Sequence, residues 1–141
     1  MNEESQIEII KRNIENEPYA RIFGIKVDEL SHGHSVVSMR VKKDYNNIFE
    51  ITHGGAVFSL LDVSFGAASN SYGNVAVALN INISYVKPAK EDDTLTAIAD
   101  EVARSSKTAS FFITVKNQLD ETIAVAQTLA YLKKEKLPFL V

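Results

Sequence analysis

Between Ala56 and Ala68 the chain reads AVFSLLDVSFGAA. Wound as a helix, this stretch carries apolar side chains on nearly every side and leaves no polar stripe for water, so it belongs inside the protein. With its flanks it predicts one long central helix over residues 54–70. On either side the period changes from helical to alternating. Upstream, Val37, Met39 and Val41 alternate with Ser38, Arg40 and Lys42, the mark of a half-buried strand. The short run Ile25-Lys26-Val27 and the turn residues Ser31-His32-Gly33-His34 complete a hairpin with it. Downstream, Val75, Val77, Leu79, Ile81, Ile83 and Tyr85 read as one face of a single long strand ended by Pro88. Leu95 to Ala103, then Phe111, Ile113 and Val115, then Ile123, Val125, Leu129 and Tyr131 give three more strands, so the main sheet spans residues 75–133. The connections at Ala103–Lys107 and Asn117–Glu121 have hairpin length and no helix fits between these strands, which makes the sheet antiparallel. At the other end, Ile7, Ile10 and Ile14 mark an amphipathic helix within residues 1–17, ended before Pro18.

A helix buried all round and an antiparallel sheet of five to six strands satisfy each other when the sheet curls around the helix. That is the hotdog architecture, an α+β fold, here with an N-terminal helix added. At 141 residues the chain is one domain, residues 1–141, with no internal repeat or linker. With 45% apolar and 23% charged residues it belongs with globular proteins rather than disordered ones. It has no Cys, which removes disulfides, thiolate metal sites and cysteine nucleophiles together. A net charge of −3 with scattered Lys argues against nucleic acid as a partner. No apolar run approaches a membrane span of ~18 residues, and Met1-Asn2-Glu3-Glu4 is acidic where a signal peptide is basic, so no membrane association and a cytoplasmic location are expected. His32 and His34 form an H-x-H pair with no third ligand type nearby, and no metal or cofactor is expected.

Asp62 is the only charged residue between Glu50 and Lys87. Its helical neighbours, Phe58, Ser59, Phe65 and Gly66, offer no cation. A carboxylate inside a buried helix is costly unless its pKa rises or it has a use. The alternatives are an exposed sliver of helix or a hydrogen bond to Ser59 or Ser69. At the start of the same helix stands His53-Gly54-Gly55, where two glycines let a ligand approach free N–H groups at the positive end of the helix dipole. The bland reading of that feature is a flexible cap. Gly54 and Asp62 are eight residues apart, about 12 Å along a helix axis. One reacting carbonyl cannot touch both within one helix. If the two act together, they come from two copies of the chain.

The stretch Asn47-x5-His53-Gly54-Gly55-x6-Asp62, followed by Asn82-x-Ser84-Tyr85-x-x-Pro88, resembles the PaaI-type hotdog thioesterases, acyl-CoA hydrolases named after phenylacetic acid degradation. The likeness runs from about Phe23 to Leu132. It implies a homodimer that extends its sheet and pairs further into a homotetramer, with active sites at the dimer interface. It implies Asp62 as the catalytic carboxylate, a general base for water or a nucleophile. Asn47 and the Gly54 N–H would polarise the thioester carbonyl, with His53 beside them and Gly55 in the same turn. The substrate would be an acyl-CoA, with no further cofactor. Its phosphates suggest contacts by charge with Lys87 and Lys90, which flank Pro88, and with Arg104 and Lys107, which bracket a hairpin turn. Solvated surface lysine is the alternative for each. Some relatives carry a Ser or Thr on the long strand facing the Asp, and this chain has Ala78 there, so no hydroxyl partner is assigned. The rival functions are a hotdog dehydratase or hydratase and a non-catalytic acyl-CoA-binding or regulatory module. The acyl pocket, with Phe58, Phe65 and Tyr72 as candidate walls, is not readable from the sequence.

Overall fold

A computed structural model describes residues 1–140. Helix α1 (Glu3–Glu15) is capped by Asn2, whose side chain accepts the Ser5 N–H at 2.8 Å. It buries Ile10 against Leu137 and Leu140 of the C-terminal segment. Pro18 ends that helix as predicted, but it also opens a second one, α2 (Pro18–Ile22), because the first turn of a helix has no use for the N–H that proline lacks. Strands β1 (Lys26–Ser31) and β2 (His34–Arg40) form the expected hairpin, with β1 running well past Val27. The central helix α3 (Gly54–Asn70) has the predicted bounds. Strands β3 (Asn74–Tyr85), β4 (Thr94–Arg104), β5 (Thr108–Lys116) and β6 (Thr122–Lys136) complete one antiparallel sheet, ordered β1-β2-β4-β5-β6-β3. This is the hotdog fold. Strand β3 lies at the sheet's edge beside β6, with its other side unpaired.

Volume is divided unequally between helix and sheet. Helix α3 supplies Val57, Leu60, Leu61, Val63 and Phe65, all buried. The strands answer with Ala97, Ala99, Ala109, Ala124, Ala126 and Ala130, also buried, so the sheet can close around a bulky helix. Phe65 meets Phe111 with ring centroids 5.6 Å apart. Each large side chain buried this way contributes roughly 1.5–3 kcal/mol.

Two strands depart from simple alternation. The register of β3 against β6 shifts between Ala78 and Asn80, and a bulge exchanges the faces of a strand. Ala76, Ile81 and Ile83 therefore pack on the core, while Val77 and Leu79 are exposed, so the predicted single apolar face from Val75 to Tyr85 is not continuous. On β6 the inward row is Ala124, Ala126, Thr128 and Ala130, which leaves Tyr131 exposed on the opposite face. Ile123, at the start of the strand, is buried as well.

Candidate active site

The first turn of α3 is built around His53, its N-cap. His53 Nδ1 accepts the Gly55 N–H at 2.7 Å, which keeps the neutral ring's proton on Nε2. This fold-back explains Gly55, because a Cβ there would lie 2.9 Å from His53 Nδ1. Gly55 thus spends its N–H on the cap and has none to offer a ligand. Gly54 is covered by Tyr85, whose hydroxyl donates to the Gly54 carbonyl at 3.2 Å and whose ring carbons would stand 3.3 Å from a Cβ. The Gly54 N–H has no acceptor among the described residues, the normal state of a first-turn donor.

Asn47 sits beside this turn in a loop closed by the Asn46–Thr52 bridge. Its Oδ1 accepts the Phe49 N–H at 2.8 Å and the Ile51 N–H at 3.4 Å. The amide oxygen is used up locally, and the Nδ2 donors are left over. Asn47, Gly54, Tyr85, Lys87 and Pro88 line one cleft. The Lys87 ammonium in that cleft pairs with Glu121. Lys90 lies just beyond, exposed, with its backbone N–H on Asp93 Oδ2 at 3.0 Å.

Asp62 opens into a different space, a cavity of about 590 Å³ walled by residues that include Ile14, Phe65, Val77 and Ala78. Among the described residues its carboxylate has no hydrogen bond and no ion pair. Ser59 is taken by the Gly55 carbonyl at 2.8 Å and by the Tyr19 hydroxyl at 2.9 Å, and Ser69 turns to the Gly66 carbonyl. Burial without a partner pushes the Asp62 pKa above the ordinary carboxylate range. Gly66, one turn on, faces open space, since a Cβ there would meet nothing within 4 Å.

The same cavity holds Glu17, which the sequence did not point to. Its pKa is also raised, first by burial and then by the charge of Asp62. The pairing joins the α1–α2 junction to the middle of α3, and no local spacing announces it. Tyr85 over Gly54 escaped notice for the same reason.

Arg104 and Lys107 are not with Lys87 and Pro88. They flank the β4–β5 turn, where Arg104 binds Glu101 at 2.7 Å and lies 3.9 Å over the Tyr72 ring. Tyr72 also stacks on His32, with ring centroids 4.6 Å apart, which places it outside the Asp62 cavity. His34 is held by Asp100 at 2.6 Å and by Glu29 at 3.5 Å. The His53–Gly54 turn and the Asp62 cavity thus lie at opposite ends of one free edge. Tyr85 at the end of β3 touches the former, and Ala76 to Ala78 near its start line the latter.

A family model described as the thioesterase superfamily matches residues 49–124, which include the HGG turn, Asp62 and most of the sheet. A putative esterase of Archaeoglobus fulgidus is 37% identical over 123 residues, covering 87% of this chain and 80% of its own. The acyl-coenzyme A thioesterase PaaI of Escherichia coli is 36% identical over 111 residues, 79% of each chain. The structure of E. coli PaaI superposes with a TM-score of 0.89 at 30% identity, over 94% of this chain and 96% of that one. A Streptococcus mutans protein solved bound to acetyl CoA gives 0.76 at 30% identity, over 80% and 91%. No helix among the described residues is long and apolar enough to cross a membrane. By sheet, helix and sequence alike, the chain belongs to the PaaI type of the thioesterase superfamily, hydrolases acting on thioester bonds.

Proposed function

We propose that the protein hydrolyses acyl-CoA to free CoA and a carboxylic acid, at sites shared between two copies of the chain. The observation that carries this reading is the unpaired Asp62 carboxylate in a largely apolar cavity, about 12 Å along α3 from the unpaired donors at Gly54 and the neighbouring Asn47. Antiparallel pairing of β3 with its counterpart would set the Asp62 end of one protomer against the Gly54 end of the other. The thioester carbonyl would accept hydrogen bonds from Asn47 Nδ2 and the Gly54 N–H. Asp62 takes a proton from water as the water oxygen attacks the carbonyl carbon; the C–S bond then breaks, and the proton goes to the departing thiolate. The pKa of Asp62, raised by burial, makes it a stronger base than a surface carboxylate while leaving it ionisable.

The acyl group would enter the Asp62 cavity, and the nucleotide would leave past Lys87, Pro88 and Lys90. Pairing through β3 would also bring the Arg104 and Lys107 end of one chain toward the Lys87 end of the other. The relative solved with acetyl CoA supports this ligand class. Exposed Val77 and Leu79 on a free edge strand support a homodimer, and Phe112 and Tyr131 on the outer sheet face support a homotetramer of two such pairs. Release of free thiol from a panel of acyl-CoAs tests the activity, and Asp62→Asn should lower kcat by ~10² or more. Turnover near wild type in Asp62→Asn would overturn the mechanism, and CoA release from no acyl-CoA would overturn the activity.

A further inference from the structure

We propose that Glu17 is a specificity-determining residue of the acyl cavity, turning away acyl groups that carry a carboxylate of their own. The inference rests on the reading of that cavity as the acyl site. Glu17 stands at the junction of α1 and α2, exposed at the cavity rim, and shares the lining with Asp62. It caps α2 with backbone alone, since its side chain makes no capping hydrogen bond. Among the described residues it has no ion pair, and no Lys or Arg lines the cavity. The rest of the wall is uncharged, with Ile14, Tyr19, Phe65, Val77 and Phe139 among it. A neutral acyl chain exchanges water for these surfaces at a gain. A chain ending in a carboxylate adds a third negative charge beside two, with no cation to offset it and low-dielectric walls that strengthen the repulsion.

Asp62 is needed for the chemistry, whereas neither packing nor capping requires an acid at Glu17. The charge of Asp62 raises the Glu17 pKa, so the two carboxylates sense each other across the cavity. Discrimination by repulsion is a recognised way to build specificity.

The test compares kcat/KM for acyl-CoA pairs of equal length, butyryl with succinyl and hexanoyl with adipyl. The wild type is expected to prefer the neutral member of each pair. Glu17→Gln should reduce that preference by about five- to tenfold, the scale of one partly screened charge contact, and Glu17→Lys should reduce it further. Raising the salt from about 0.05 to 0.5 M should shrink the preference in the wild type more than in Glu17→Gln, a response that a purely structural role would not produce. Equal use of both members by the wild type, or a preference unmoved in both variants while neutral acyl-CoAs are still hydrolysed, overturns the role of Glu17 and leaves the thioesterase reading standing. Failure to hydrolyse any acyl-CoA overturns both.

Discussion

The two ends of the working half of α3 leave opposite kinds of polarity unmet. At the N-terminus the acceptors are used and the donors remain: His53 Nδ1 is bonded within the turn and Asn47 Oδ1 within its own loop, while among the described residues the Gly54 N–H and Asn47 Nδ2 have no acceptor. At Asp62 there is an acceptor with no donor, in a cavity that raises its pKa. A free first-turn donor and a free carboxylate about 12 Å apart along one helix cannot meet at one carbonyl, which is why the proposed site is shared between two chains. A helix cannot fold back on itself to join them. A second copy along β3 can.

The largest expected effect breaks that comparison directly. Asn47→Ala removes the proposed oxyanion donor and should lower kcat by ~10² or more, as Asp62→Asn should. Co-expressed or refolded as an equal mixture, the two variants should recover roughly a quarter of wild-type activity. About half the dimers would be mixed, each with one intact site of two. A mixture no more active than its parents, with mixed dimers verified by mass, would place both groups in one chain's site.

A smaller effect separates the binding end from the reacting end. Neutralising Lys87 and Lys90 together should raise KM for acyl-CoA several-fold with little change in kcat, because contacts far from the breaking bond bind ground and transition states alike. A short pantetheine thioester, which lacks the nucleotide, should not respond. Lys87 already pairs with Glu121, so Glu121→Gln should move KM in the opposite direction.

Stability sharpens the contrast further. The folded state holds the Asp62 proton more tightly than the unfolded chain does, so stability is greatest below the ordinary carboxylate pKa and falls as pH rises through the raised value. Asp62→Asn lacks this loss. Its melting temperature should exceed that of the wild type at neutral pH, and the gap should close as the buffer is taken below the ordinary carboxylate pKa. A gap independent of pH would mean that the Asp62 charge is not strained. The smallest effect belongs to Gly66→Ala. Replacing a helix-interior glycine in open space should stabilise by ~0.5–1 kcal/mol in denaturant unfolding while lowering kcat/KM for the bulkiest acyl groups, whose cavity it narrows.

Helix α3, the antiparallel sheet and the isolation of Asp62 were legible because each is written in local spacing or in the absence of charge. One acid among apolar neighbours stands out in a list of residues. Glu17 does not, since it follows an amphipathic helix full of acids and becomes notable only when α1 and α2 pack against α3. The faces of β3 and β6 were misjudged for a related reason. Alternation reports which residues share a face, but a bulge between Ala78 and Asn80 in β3 and the packing of the whole sheet decide which face turns inward.

What the sequence determined by itself is therefore what short-range physics controls: the bounds of α3, its burial and the isolation of Asp62 from local cations. Only the tertiary structure decided which groups stand free. That Tyr85 covers Gly54 and that Glu17 shares a cavity with Asp62 depend on residues brought together from different elements. Hydrogen bonds and charge contacts act over a few ångströms of space, and a chain specifies such distances across elements only once it has folded.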